Sequence, residues 1–324
     1  MNTIPPNDSE NTNRQPVISL QNVSKRFGKT QALDQVTLQV PPGVVFALLG
    51  ENGAGKTTMI RILTGFEKPD TGTATILGRD CEKNSLEIRR SIGYVSDAPA
   101  MYDWMTPEEI GWFTSAFYDE SFPMRYLELL AAFDVPAGTK LKSLSKGQRA
   151  KVALALATAH DPQLLILDEP TSGLDPMVRR KFLESMVDRA ALGRTVLLSS
   201  HQINEVERVA DWVAIVHQGE LKLVQPLEKL KNSTFSVTAT MDDPAATVLL
   251  PPGNVLTESR NGRQMRWLVR DLPENWQATY AGDSGVTDMS ARQASLEETF
   301  VAVCDHRVNR PTVTEQTEPQ SQVF

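Results

Sequence analysis

The chain has 324 residues, 40% of them hydrophobic, enough to bury one large core and a smaller second one. Its formal net charge of -7, from 33 Lys and Arg against 40 Asp and Glu, argues against a nucleic-acid partner, which needs a basic face to displace counterions from phosphates. The longest apolar runs, VVFALL at 44–49 and LLIL at 164–167, fall short of the ~18 residues a membrane span needs, and the two cysteines, Cys81 and Cys304, fit no zinc or redox spacing and point to a cytosolic setting.

The first stretch, MNTIPPNDSENTNRQP (1–16), lacks the basic and apolar regions of a signal peptide and is expected to be a disordered tail. Alternation in VISLQNVSKRF and VTLQV predicts edge strands buried on one face, and VVFALL predicts the first core strand. GENGAGKTTMIRILTGF then makes a Gly-rich turn into a helix, with Met59, Ile60, Leu63 and Phe66 at helical spacing. Residues 97–143 are richer in aromatics and helix signals and predict an inserted helical subdomain, with Thr106-Pro107-Glu108-Glu109 as a capping box. Most of Tyr102, Trp104, Trp112, Phe113, Phe117 and Tyr118 are expected in its core; any left exposed would mark a docking surface.

LSKGQRAKVALALATA, 144–159, sets a polar tip at the start of an Ala/Leu-rich helix. From 164 to 224 near-continuous apolar strands alternate with helical segments: LLIL, a helix around 177–191, TVLLS, then WVAIV with a Gln218-Gly219 hairpin. That pattern predicts an α/β unit, residues 17–230, whose mostly parallel sheet is covered on both faces. Residues 233–305 predict a small α+β domain, with a tight Asn261-Gly262 turn and a final helix capped at Ser295. Residues 306–324 read as a second tail.

Three features carry chemistry. Gly50-Glu51-Asn52-Gly53-Ala54-Gly55-Lys56-Thr57 matches GxxxxGK[ST] between a buried strand and a helix, the setting of a phosphate-binding P-loop. Its glycines let the backbone approach phosphates, and consecutive N–H groups with the helix dipole favour negative charge. Lys56 is expected to reach the β and γ phosphates, Thr57 to ligate Mg²⁺, and the Thr58 N–H to lie near the α-phosphate. LLILDEP puts Asp168 and Glu169 at a strand end, Asp168 to complete the Mg²⁺ shell and Glu169 to polarise a water. His201 follows TVLLSS at the next strand end, an address for a γ-phosphate contact.

Together these residues resemble the ATP-binding cassette (ABC) ATPases over residues 17–230. GENGAGKTT looks like the Walker A motif, LSKGQ like the signature, LLILDEP like Walker B, SGLD like the D-loop, and His201 like the switch histidine. The resemblance implies a P-loop NTPase core with N-terminal antiparallel strands and a helical insertion, with ATP and Mg²⁺ as ligands. It implies that Phe27 stacks on adenine, and that Ser145, Gly147 and Gln148 meet the γ-phosphate held by a second subunit, with Asp175 at the same seam. Two positions depart from the pattern: Lys146 stands where the signature usually has Gly, and Asp97 where the Q-loop usually has Gln. Asp97 is shorter and charged, a weaker lever on water and a neighbour for Mg²⁺. Lys146 would gain about 1 kcal/mol per unit charge if ~8 Å from the phosphates at an effective dielectric of ~40, and little if it faces solvent.

Exporter-type bacterial members are similar in both departures. The expected function is therefore ATP hydrolysis driving transport through a separate integral-membrane permease, at the cytoplasmic face of the membrane, as a homodimer or heterodimer. The alternatives are a soluble ABC ATPase acting on DNA or ribosomes, and a low-turnover nucleotide switch; the short insertion, the single cassette and the acidic balance count against the first, and Glu169 against the second.

Overall fold

The computed structural model of the chain describes residues 15–243, 249–280 and 285–305, so the two tails expected at the ends lie outside it except for residues 15 and 16. In chain order the elements up to the insertion are β1 (Ile18–Phe27), β2 (Thr30–Val40), β3 (Val45–Leu49), α1 (Lys56–Leu63), β4 (Thr71–Ile76), β5 (Arg79–Asp80), α2 (Ser85–Ser91) and β6 (Ile92–Val95). The insertion supplies α3 (Pro107–Ser115) and α4 (Phe122–Ala132). There follow α5 (Lys146–Thr158), β7 (Leu164–Asp168), α6 (Pro176–Ala191), β8 (Thr195–Ser200), α7 (Ile203–Val209), β9 (Trp212–His217), β10 (Glu220–Pro226) and α8 (Leu227–Ser233). The rest is β11 (Thr234–Met241), β12 (Asn254–Asn261), β13 (Gln264–Arg270), β14 (Val286–Gln293) and α9 (Leu296–Cys304). The chain divides into two units, one ending at Leu230 and the other beginning at Lys231.

In the first unit a six-stranded sheet, β10-β9-β3-β8-β7-β6, is parallel except for β10. Its strands are apolar at nearly every position because both faces are covered. Phe46, Leu48, Leu164, Ile166 and Leu197 point one way, into a core shared with α1 and the antiparallel sheet β2-β1-β4-β5. Val45, Leu165, Leu167, Val196 and Leu198 point the other way, onto α5 and α6. The fold class read from the sequence is the one observed.

α5 is buried on two sides. Ala153, Leu154 and Ala157 pack on the sheet, while Val152, Ala155 and Ala159 pack among Phe122, Tyr126 and Leu130 of the insertion. Alanine suits this place, since a small side chain lets the helix lie between two packed layers.

The insertion corrects an expectation. Its core is built by Ile110, Phe122, Tyr126 and Leu130, while Tyr102, Trp104, Trp112, Phe113 and Phe117 are exposed; only Tyr118 of the six is partly buried. The helical period explains this. Pro107, Ile110 and Gly111 of α3 face inward, so Trp112 and Phe113 fall one turn beyond the exposed Glu108 and Glu109, on the outer face. Gly111 is needed because a Cβ there would sit 2.1 Å from Cε1 of Tyr126, whose hydroxyl donates to the Pro107 carbonyl over 2.8 Å. Gly111→Ala should therefore overpack the insertion and lower stability by about 1–3 kcal/mol, read as a lower denaturant midpoint at unchanged slope. An unaltered midpoint would mean the Tyr126 ring swings aside at no cost.

Two smaller corrections follow. Phe66 lies beyond the C-terminus of α1, after Gly65 at φ +69, and is exposed with the Arg89 guanidinium 5.1 Å from its ring centre, so it is not part of the helix's buried face. In the second unit, a four-stranded antiparallel sheet in the order β12-β13-β11-β14, Asn261 pairs with Gln264. The turn is thus Gly262-Arg263, one residue later than expected, with Gly262 at φ +59 where the first central position of a tight hairpin turn demands it.

Candidate active site

The strand register brings the chemistry to one edge. Leu49 pairs with Ser200 and Asp168 with Ser199, so β3, β7 and β8 end together. The Gly50–Thr57 loop, Asp168-Glu169 and His201 leave the sheet side by side.

The loop's glycines are set by space as well as by φ. Gly55, at φ +112, would place a Cβ 2.5 Å from the Ala32 carbonyl oxygen, and Gly50 would place one 2.5 Å from that of Val216. Among the described residues no side chain caps the N-terminus of α1, and no acidic residue lies in its first turn, so those N–H groups are left for an anion from outside. Asn52, Gly53 and Thr57 are exposed, Thr58 is half-buried, and Ala54 and Gly55 are buried beneath them. Lys56 is 5% exposed. Its ammonium donates to the carbonyls of Gly50 (2.7 Å) and Glu51 (3.2 Å) and stands 3.1 Å from Glu169 Oε1.

Glu169 adopts φ +48, a left-handed turn fixed by its own N–H, which donates to both the hydroxyl (3.1 Å) and the carbonyl (3.2 Å) of Ser199. The Ser199 hydroxyl donates in turn to Asp168 Oδ1 at 2.6 Å. On its other side, Glu169 Oε2 lies 2.8 Å from Nδ1 of His201. To bond a carboxylate, Nδ1 must carry the proton, which leaves Nε2 of the half-exposed imidazole for a ligand. Asp168 (2% exposed) and the Thr57 hydroxyl are hard oxygen donors that fit Mg²⁺, an ion usually held by one or two carboxylates together with substrate phosphates.

The signature residues form a second group. Ser145 caps α5 in a capping box: its hydroxyl accepts from the Gln148 N–H (3.1 Å), and Gln148 Oε1 accepts from the Ser145 N–H (3.0 Å). Asp175 caps α6, accepting from the N–H groups of Met177 (3.1 Å) and Val178 (3.0 Å). The two helix tips touch, since a Cβ on Gly147 would lie 3.3 Å from Val178 Cγ1. Lys146 is exposed, and a Cβ on Gly173 would meet its Nζ at 2.5 Å, so its side chain lies along the D-loop. Among the described residues no hydrogen bond or ion pair joins Ser145, Gly147 or Gln148 to the P-loop.

Phe27 is exposed at the end of β1, with the Lys25 ammonium 5.3 Å from its ring centre. Asp97 is exposed two residues past β6, the strand beside β7. Sequence reasoning missed Ser199, which ties Asp168 to Glu169, and the set Thr171, Arg179 and Glu205 behind the D-loop. The capping box at Ser145 carries the local signal Ser-x-x-Gln, but sequence reasoning found there only a polar helix tip.

The chain matches the family model of the ABC transporter over residues 33–172. It is 33% identical over 241 residues to the bacitracin transport ATP-binding protein of Bacillus licheniformis, covering 72% of this chain and 78% of that one. It is 36% identical over 218 residues to the Nod factor export ATP-binding protein I of Sinorhizobium fredii (strain NBRC 101917 / NGR234), covering 64% and 62%. A solved dimeric structure of a post-hydrolysis ATP-binding cassette, bound to ADP and Pi, is similar at a TM-score of 0.59 and 26% identity, over 65% of this chain and 98% of that one.

Proposed function

The chain belongs to the ABC transporter ATP-binding proteins, and from that premise we propose that it is the ATP-hydrolysing subunit of an exporter, driving a separate integral-membrane permease from the cytoplasmic face as a dimer. The observation that carries the hydrolytic reading is the convergence of Lys56, Glu169 and His201, 3.1 and 2.8 Å apart in sequence of contact, beside an uncapped helix N-terminus.

In this reading the α1 N–H groups and Lys56 hold the phosphates, with Phe27 against the base. Thr57 and Asp168 would hold Mg²⁺, with Asp97 as a further carboxylate for it, and the ion when bound would supply neutralisation of phosphate charge. Glu169 takes the proton of the attacking water, and His201, oriented by Glu169, turns Nε2 to the γ-phosphate. Ser145 and Gly147 complete the site of a partner copy. The capping bond uses a lone pair of the Ser145 hydroxyl and leaves its proton free to donate to a phosphate oxygen.

Docking on a permease is supported by the insertion's outer face. Tyr102 lies 6.0 Å from Trp104 and 6.1 Å from Phe113 by ring centres, Phe117 is 6.1 Å from Phe113, and Trp112, next to Phe113 in the chain, is 78% exposed. A clustered aromatic patch of this kind marks an interaction surface. Among the described residues no helix is long and apolar enough to cross a membrane. The tagged full chain should fractionate with membranes, together with a multi-span protein. A variant with Trp104, Trp112 and Phe113 changed to Ser should keep Mg-ATP hydrolysis and leave the membrane fraction. If the unaltered chain hydrolyses ATP but associates with no membrane protein, the transporter reading fails.

A further inference from the structure

Behind the D-loop lies a polar network that no role above employs. Arg179, one turn into α6 from Asp175, donates through Nη2 to the Leu174 carbonyl (3.1 Å) and through Nη1 to Gln202 Oε1 (2.9 Å), the residue next to His201. The same Nη1 stands 2.9 Å from Glu205 Oε1 on α7, and Glu205 Oε2 accepts from the Thr171 hydroxyl at 2.7 Å. Glu205 and Thr171 are buried. The segment from 171 to 175 is therefore fixed at Thr171 and Leu174 to the turn that follows His201. Its other side carries the signature tip, with Lys146 along Gly173 and Gly147 against Val178.

The chemistry of the pair says more than its position. Among the described residues Glu205 Oε1 and Arg179 Nε have no hydrogen-bond partner, so the 2.9 Å contact is an ion pair without well-aimed N–H bonds at that oxygen. A pair that is buried on the Glu205 side, half-buried on the Arg179 side and satisfied only in part is a poor source of stability. What a charged pair supplies instead is a fixed register, because separating it leaves bare charge in a dry place.

We propose that Arg179 and Glu205 are positioning residues that hold the Glu169–His201 dyad in register with the D-loop, so that the seating of one subunit's signature tip on a partner's phosphate is felt at its own dyad. The inference rests on the shared-site reading above. In the full chain, Glu205→Gln keeps the volume and the acceptor for Thr171 but removes the charge. It should lower kcat about 10- to 100-fold, the scale of a small misplacement of catalytic groups, with KM for ATP little changed and cooperativity in ATP lost. Arg179→Lys, which keeps charge but not the fork, should behave alike. A purely structural role would instead lower the thermal midpoint and reduce kcat only in proportion to folded protein, with cooperativity intact, and that result would overturn the proposal. If the unaltered chain hydrolyses ATP as a monomer, the shared-site reading itself fails and the inference with it; a cooperative, dimeric wild type whose Glu205→Gln variant matches it removes the inference alone.

Discussion

Glu169→Gln is expected to slow Mg-ATP hydrolysis by about 10²- to 10⁴-fold, the range for loss of a general base, while ATP still binds. The geometry explains why the lesion should be selective. An amide has the size of the carboxylate and its oxygen can still accept from His201 Nδ1, which lies 2.8 Å from Glu169 Oε2. The backbone turn is held by Ser199 through the residue's own N–H, independently of its side chain. What disappears is the proton acceptor and the negative partner of Lys56. Lys56 keeps its two loop carbonyls at 2.7 and 3.2 Å and so remains in place for phosphate. Because the products form slowly, ATP should hold the variant as a dimer, seen as a shift in sedimentation on adding Mg-ATP. Turnover close to that of the unaltered chain would assign the base to another group.

Ser145→Arg should abolish hydrolysis and ATP-driven dimerisation without weakening ATP binding to the monomer. Two effects of different size must be separated here. Ser145 caps α5, and losing a cap costs about 0.5–2 kcal/mol, a stability change with no catalytic content. The arginine also places a long cation and its volume at the tip that is to meet a partner subunit. Ser145→Asp distinguishes the two, since Asp is as good an N-cap as Ser but sets a negative charge against phosphate. It should melt near the unaltered chain and still fail to dimerise. Full hydrolysis by a monomer of either variant in sedimentation would reject the shared site.

The candidate site's place at one sheet edge was legible in the sequence because its signals are local. A P-loop is a run of consecutive backbone, Asp168 ends an apolar strand, and Glu169 and His201 each directly follow one, so the parallel register alone brings them together. The residues that tie those groups to one another were not legible. Ser199 and Glu205 meet their partners across 30 or more positions, with |i−j| of 31 for Ser199–Asp168 and 34 for Thr171–Glu205, and nothing in their own neighbourhoods marks them. The aromatics of the insertion failed for another reason. Large side chains invite a core reading, but the phase of α3 was already set by Ile110 and Gly111, which leaves Trp112 and Phe113 no inward position. Lys146 landed on Gly173 because two helix tips distant in sequence abut, a contact invisible until the fold is drawn.

From 152 to 159 no residue of α5 is exposed, one flank being gripped by the sheet and the other by the helical insertion. Such a helix is a shaft clamped along its length, with the exposed Ser145 at its tip. It cannot roll about its own axis without opening a void in one core or the other, at a cost that rises with every cubic ångström emptied. A tilt of the insertion against the sheet must therefore either shear one of these two packed faces or carry α5 with it. The polar turn that opens α5 and the aromatic outer face of the insertion are in this sense joined through one packed helix.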